Sequence, residues 1–237
     1  MNASPTTPEL DVHVSRAGVA PWAVVLVLHG GRERSDAPVE SRHLAVRRMY
    51  PFVRDVAKRL PEAAVARLQY RVRGWNGDGT DALADVDHAL AELTERFGAV
   101  PVVLLGHSMG GRAAVRAAGA ANVRGVVALA PWLPEGEPVG QLADRSLAIL
   151  HGTRDMTTSG ALSAQFAERS IGVTIETACL RVPRSGHGMV LRSGLWHRLA
   201  TEFVAALAAG EPLARPTSLA VDAGCIACSP GISPGGH

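Results

Sequence analysis

The 237-residue sequence predicts an α/β fold, a mostly parallel, doubly wound sheet with helices on both faces. Short apolar runs closed by glycine or proline recur along the chain, as buried parallel strands require. Amphipathic stretches with apolar residues three and four apart separate those runs, as crossover helices require. The composition, 47% hydrophobic and 19% charged, supplies enough apolar surface for one sizeable core.

Residues 1–9 are polar and proline-bearing and read as a loose leader. A single domain is expected over 10–210. WAVVLVLH (22–29), closed by Gly30-Gly31, is its first buried strand. Residues 41–60 set Leu44, Met49, Phe52, Val53, Val56 and Leu60 at helical spacing. Pro51 there suits the first turn of a second helix. AAVARLQYRV (63–72) is the next strand. WNGDGTDA (75–82) turns into a helix that Thr80 or Asp81 would cap and that carries Leu83, Val86, Leu90, Leu93 and Phe97. Strands at 101–106 and 123–130 flank a helix at 111–120. A strand at 146–152, a helix at 161–170, a strand at 174–182 and a helix at 195–210 ended by Gly210 complete the series. From 211 onward Pro, Gly and Ser are frequent, and a disordered tail over 211–237 is expected.

Charge and composition exclude several classes. Lys and Arg number 24 against 22 Asp and Glu, a net +2 that gives no electrostatic reason for nucleic acid or anionic membrane as partner. The longest apolar stretch, 22–28, is far short of the ~20 residues that span a bilayer. The start, MNASPTTPELD, has neither basic residues nor an apolar run, so no secretory signal is read there. A soluble cytoplasmic protein, monomer or small homo-oligomer, is the expectation. The three cysteines are too few for a disulfide framework, and Cys225-Ile-Ala-Cys228 lacks the second pair that zinc would want. It reads as an incidental pair. HGGRER lacks the G-x-G-x-x-G spacing of a dinucleotide site.

The chemistry begins at VVLLGHSMGGR (102–112). An apolar strand runs into Gly-His-Ser-Met-Gly and then an alanine-rich helix. A serine at the apex of so sharp a turn takes a strained backbone, and Gly106 and Gly110 relieve the crowding on either side. The turn lifts the Ser108 hydroxyl clear of the strand and sets a helix N-terminus beside it, so the Met109 N–H is a natural oxyanion donor. A serine hydroxyl needs a base. His187, in RSGHGMV between the last strand and the closing helix, sits where flanking glycines let a loop carry the ring over the sheet end. His107 points the wrong way within the turn, His151 supports a strand end, and His43, His88 and His197 read as solvated helix residues. The base needs an acid behind it. Asp155 in HGTRDM (151–156) follows a strand, and Glu135 is the alternative. In LHGGR (28–32) the glycine pair exposes backbone amides, with Gly31 the second oxyanion donor and Arg32 N–H an alternative.

HGG, GHSMGG, HGTRD and GHG, each after a strand and in that order, resemble the α/β-hydrolase superfamily over roughly 20–208. The resemblance implies Ser108 as nucleophile, His187 as base, Asp155 as acid, and the Met109 and Gly31 amides as oxyanion hole. Residues 130–146 are too short for a large cap, so a compact, open-topped enzyme similar to small carboxylesterases, dienelactone-hydrolase-like proteins and acyl thioesterases is implied. Its expected activity is cleavage of a small-molecule carboxylic ester or thioester through an acyl-enzyme, with no metal or organic cofactor. The rivals are acyl transfer or perhydrolysis by the same triad, or a ligand-binding homologue without turnover. Arg32, Trp132, Met156 and Met189 adjoin the motif loops and are candidates for the substrate pocket. The arginines at 32, 34, 42, 47, 48 and 54 either hold a substrate anion or form a solvated face.

Overall fold

The computed structural model describes residues 7–14 and 19–228. The chain runs β1 (Glu9–Val14), β2 (Val24–Leu28), α1 (Leu44–Arg47), α2 (Tyr50–Arg59), β3 (Ala64–Gln69), α3 (Thr80–Phe97), β4 (Val102–His107), α4 (Met109–Arg116) and β5 (Val123–Leu129). It continues through β6 (Ser146–Gly152), α5 (Gly160–Ser170), β7 (Thr177–Val182), α6 (Ser193–Ala209), α7 (Ala214–Asp222) and β8 (Ile226–Ala227). The strands form one sheet in the order β1-β3-β2-β4-β5-β6-β7-β8. The six from β3 to β7 are parallel, and the edge strands β1 and β8 are antiparallel to their neighbours. The carboxyl ends of β2, β4, β6 and β7 therefore lie along one rim, where an open α/β sheet places its ligand crevice.

Apolar side chains fill both faces because the central strands are apolar along most of their length. Val25 and Val27 of β2 join the core under α2 and α6, while Val24, Leu26 and Leu28 join the core shared with α3 and α4. Strand β5 splits alike, with Val127 and Leu129 to one face and Val126 and Ala128 to the other. Burying such a side chain stabilises by about 1.5–3 kcal/mol, which is why runs of this kind seat at the sheet centre. Pro51 lies in the first turn of α2, where its missing N–H costs no helical bond. Residues 130–145, between β5 and β6, hold only a 3₁₀ turn at Gly140–Leu142, and no large cap covers the rim. No helix among the described residues is long and apolar enough to cross a membrane.

The structure corrects four expectations. Glu9 belongs to β1 rather than to a leader. Residues 9–14 alternate half-buried and exposed, a one-faced edge strand that pairs with β3. The tail from 211 is ordered as far as 228. Leu213 and Ala220 are fully buried against the α6 face, and the Leu213 N–H donates to Glu176 Oε2 at 2.6 Å. Pro216 falls in the first turn of α7, where proline does no harm, and the rest of the expected tail, 229–237, lies outside the described residues. The cysteines do not pair as C-x-x-C. Cys228 is disulfide-bonded to Cys179 of β7, while Cys225 is free and buried, because β8 lies beside β7 and brings Cys228 to it. Finally, neither Thr80 nor Asp81 caps α3. Gly79 takes the cap position at φ 84°, and Asp78 Oδ1 receives the Thr80 N–H at 3.1 Å.

Candidate active site

Ser108 stands between β4 and α4 with φ 55° and ψ −119°, a conformation that costs a non-glycine residue about 1–3 kcal/mol. The surroundings hold it there. Its N–H donates to the Leu129 carbonyl at 3.0 Å, and its own carbonyl accepts from Gly111, Arg112 and Trp132 at 3.0, 3.2 and 3.1 Å. A Cβ on Gly106 would run into the Gly110 carbonyl, and one on Gly110 into the carbonyls of Leu28 and His29. The glycines thus let β2, β4 and α4 close on one another.

His187, in the loop between β7 and α6, places Nε2 3.0 Å from Ser108 Oγ and Nδ1 2.9 Å from Asp155 Oδ2. Residues 79 and 32 positions apart in sequence thus meet in one chain of hydrogen bonds. Asp155 follows β6 and its side chain is 1% exposed. Burial works to raise its pKa, but hydrogen bonds from His151, His187 and the Thr158 and Thr157 amides outweigh it and hold the carboxyl well below the usual range. The two amides reach Oδ1 at 3.0 and 2.8 Å. Thr158 Oγ1 lies 3.0 Å from Oδ2 and 3.2 Å from His187 Nδ1. Glu135 is exposed on a separate turn.

Two groups that the sequence analysis gave lesser parts support this chain. His151, fully buried, sets Nε2 3.3 Å from Asp155 Oδ2 and Nδ1 2.9 Å from Ser163 Oγ. It supports the strand end, as expected, and touches the acid as well. His107, also buried, donates from Nε2 to the His187 carbonyl at 3.0 Å, with ring centroids 4.8 Å apart. Burial, then the neighbouring His187, lowers its pKa to about 3, so the ring is a neutral strut under the His187 loop. His197 is not the solvated residue expected. It is stacked on Phe52 and 2.7 Å from Asp55. Thr158 was missed; the signal was Asp155-Met-Thr-Thr, a carboxylate followed at once by amides it can accept from.

The amide of Met109, the first residue of α4, has no intrahelical acceptor a turn back. Gly31 lies against the Met109 side chain so closely that a Cβ there would overlap Met109 Sδ and the Arg73 carbonyl. The Arg32 N–H, the other loop amide considered, is committed to the Arg73 carbonyl at 2.8 Å. Of the pocket candidates, Arg32 lines a cavity of about 540 Å³ beside Gly30 and Gly31. Trp132 is half-buried, edge-on to Trp75, with the Arg112 guanidinium 4.7 Å from its ring centroid. Met156 is 95% exposed and forms no wall. Met189 is 3% exposed and belongs to the core under α6, because φ 56° turns it inward beneath the loop, so it is no pocket residue.

Comparison with known proteins gives consistent matches. The model of the "Alpha/beta hydrolase family" matches residues 24–218. Among solved structures, Est1E from Butyrivibrio proteoclasticus with bound ferulic acid superposes with a TM-score of 0.67 at 12% identity, covering 85% of this chain and 96% of that one. An alpha-beta serine hydrolase homologue from Coxiella burnetii gives 0.62 at 14%, covering 83% and 91%. A monoacylglycerol lipase from Paleococcus ferrophilus gives 0.61 at 15%, covering 85% and 100%. At such identities the likeness is one of fold. Among curated proteins none matches this sequence.

Proposed function

The chain belongs to the alpha/beta hydrolase family, and from its rim chemistry we propose that it is a serine hydrolase that cleaves carboxylic ester or thioester bonds through an acyl-enzyme. One observation carries the reading: a single imidazole bridges the Ser108 hydroxyl at 3.0 Å and a buried, ionised carboxylate at 2.9 Å. Asp155 accepts the Nδ1–H and so fixes the tautomer whose Nε2 faces serine with a lone pair. His187 takes the Ser108 proton as Oγ attacks the substrate carbonyl. The amides of Met109 and Gly31 receive the oxyanion, each such donor being worth about 10² to 10³ in rate. His187 then protonates the leaving group, and water activated in the same way releases the acid. A small molecule of this kind is reached at an uncovered rim, and the monoacylglycerol lipase among the fold relatives is in keeping with that substrate class.

A fluorophosphonate probe tests the reading. Labelling at Ser108, absent from Ser108→Ala and strongly reduced in His187→Ala, is the expected result. Folded protein that takes no label, and hydrolyses no 4-nitrophenyl ester, would instead be a ligand-binding homologue.

A further inference from the structure

Several arginines in this fold are paired with acids. Arg67 meets Asp11, Arg71 meets Asp85, and Arg112 and Arg116 share Glu137. Arg32 and Arg73 depart from that pattern, since neither guanidinium has a hydrogen-bond or ion-pair partner among the described residues. The main chain nevertheless holds the two residues together. Arg32 donates its N–H to the Arg73 carbonyl at 2.8 Å, and Arg32 bridges Gly74 in parallel. Glu40, the carboxylate within electrostatic reach of Arg73, already bonds Arg42 at 3.2 Å. Two arginines tied through the main chain with no acid of their own leave positive charge that a bound anion would neutralise.

Both arginines line the cavity of about 540 Å³ whose floor begins at His29, Gly30 and Gly31. Val39 and Val46 give it an apolar wall. Its size is within the ordinary range for small-molecule sites, about 300–1,000 Å³. The cavity is lined by Gly31, the residue whose amide is proposed to hold the carbonyl oxygen, and so lies beside the proposed position of the acyl group.

We propose that this cavity is an anion subsite in which Arg32 and Arg73 hold a carboxylate or phosphate borne on the acyl half of the substrate. The preferred substrates are then half-esters of dicarboxylic acids or their phosphate-bearing counterparts. The inference rests on the ester-cleaving reading of Ser108. With 24 basic and 22 acidic residues in the chain, a preference for anions must come from local placement rather than overall charge.

The test compares kcat/KM for mono-4-nitrophenyl glutarate and for its neutral methyl ester at low ionic strength. The expected preference for the charged ester is on the order of tenfold, the size of one charge-assisted hydrogen bond. It falls to about one in Arg32→Gln/Arg73→Gln. Arg32→Gln alone, at an exposed position, moves the ratio the same way should the double variant fold poorly. Lys58→Gln removes an equal charge from α2 and leaves the ratio in place. Calorimetric titration of Ser108→Ala with glutarate and, separately, with inorganic phosphate assigns the anion class by which one binds and loses binding when both arginines are replaced. Equal rates for the two esters, with neither anion titrating, in protein that labels at Ser108 and hydrolyses both, overturn the subsite and leave the esterase reading standing. No hydrolysis and no labelling overturn both.

Discussion

Asp155→Asn separates orientation from mere presence of the proposed triad. Asp155 Oδ1 receives the Thr157 and Thr158 amides at 2.8 and 3.0 Å, so the asparagine oxygen stays on that side and its NH₂ replaces Oδ2. The NH₂ then faces His187 Nδ1, formerly 2.9 Å from an acceptor. Two donors cannot face each other, so the imidazole must carry its proton on Nε2 and present it to Ser108. A base holding its proton towards the nucleophile cannot take another. The loss from a wrong tautomer is about 10⁴ in kcat, or roughly 5 kcal/mol of transition-state stabilisation. Folding suffers less. His151 and the Thr158 hydroxyl each lose an ionised acceptor, but Thr158 Oγ1 can turn to the Ala130 carbonyl at 3.2 Å and His151 Nε2 to the Thr158 carbonyl at 3.2 Å. A cost of about 1–3 kcal/mol is expected. Turnover of 4-nitrophenyl butyrate and urea unfolding, measured on the same preparations, read the two effects apart. A loss of less than tenfold in kcat, with the fold intact, would mean that Asp155 does not set the tautomer.

Acid should destabilise the fold before it titrates the carboxylate. Burial lowers His29 from 6.5 to about 4 and, with His187 nearby, His107 to about 3. Both folded values are depressed, so their contribution is complete above pH about 6.5 and is lost as pH falls toward those values, together several kcal/mol. A urea midpoint equal at pH 7.5 and pH 5 would refute this. Gly31→Ala should lower kcat by about 10² or more, since its Cβ displaces the loop from Met109 and Arg73; full activity in stopped assays would remove Gly31 from the oxyanion role. Alkylation in denaturant should modify one thiol, Cys225, before reduction and three after it; three before reduction would mean that Cys179 and Cys228 are not bonded.

The parts legible in the sequence were those whose signal is local. The strand, elbow and helix around Ser108 occupy fifteen consecutive residues, 102–116, and both Gly106 and Gly110 stand within that stretch. Strand β2 announced itself because all five of its residues are apolar and buried. Strand β1 did not. Its alternation is carried by six residues, one face is half-exposed, and its partner β3 lies more than fifty positions away. The tail misled for a related reason. Leu213 and Ala220 are buried by α6 and β7, and composition does not reveal a surface waiting elsewhere in the chain. Met189 fell between the two, next to a motif in sequence yet turned into the core by a single positive φ.

The support beneath the proposed triad shows how the fold makes a strained serine tolerable. Each element of the chain Ser108–His187–Asp155 is tied twice, once by its reacting atom and once from below. Ser108 is fixed through its carbonyl to Trp132 and through its N–H to β5. His187 is fixed through its carbonyl to His107, and Asp155 through two amides and the buried His151. The second set of bonds uses main-chain groups or fully buried rings, which water does not compete for. Side chains on such a frame lose little further freedom on binding, so the open rim need not close a cap over substrate to orient the reacting atoms. The strain stored at φ 55° is therefore offset by β5, the 130–132 turn and the glycine contacts together, and a change at any one of them should reach Ser108 before it reaches the core.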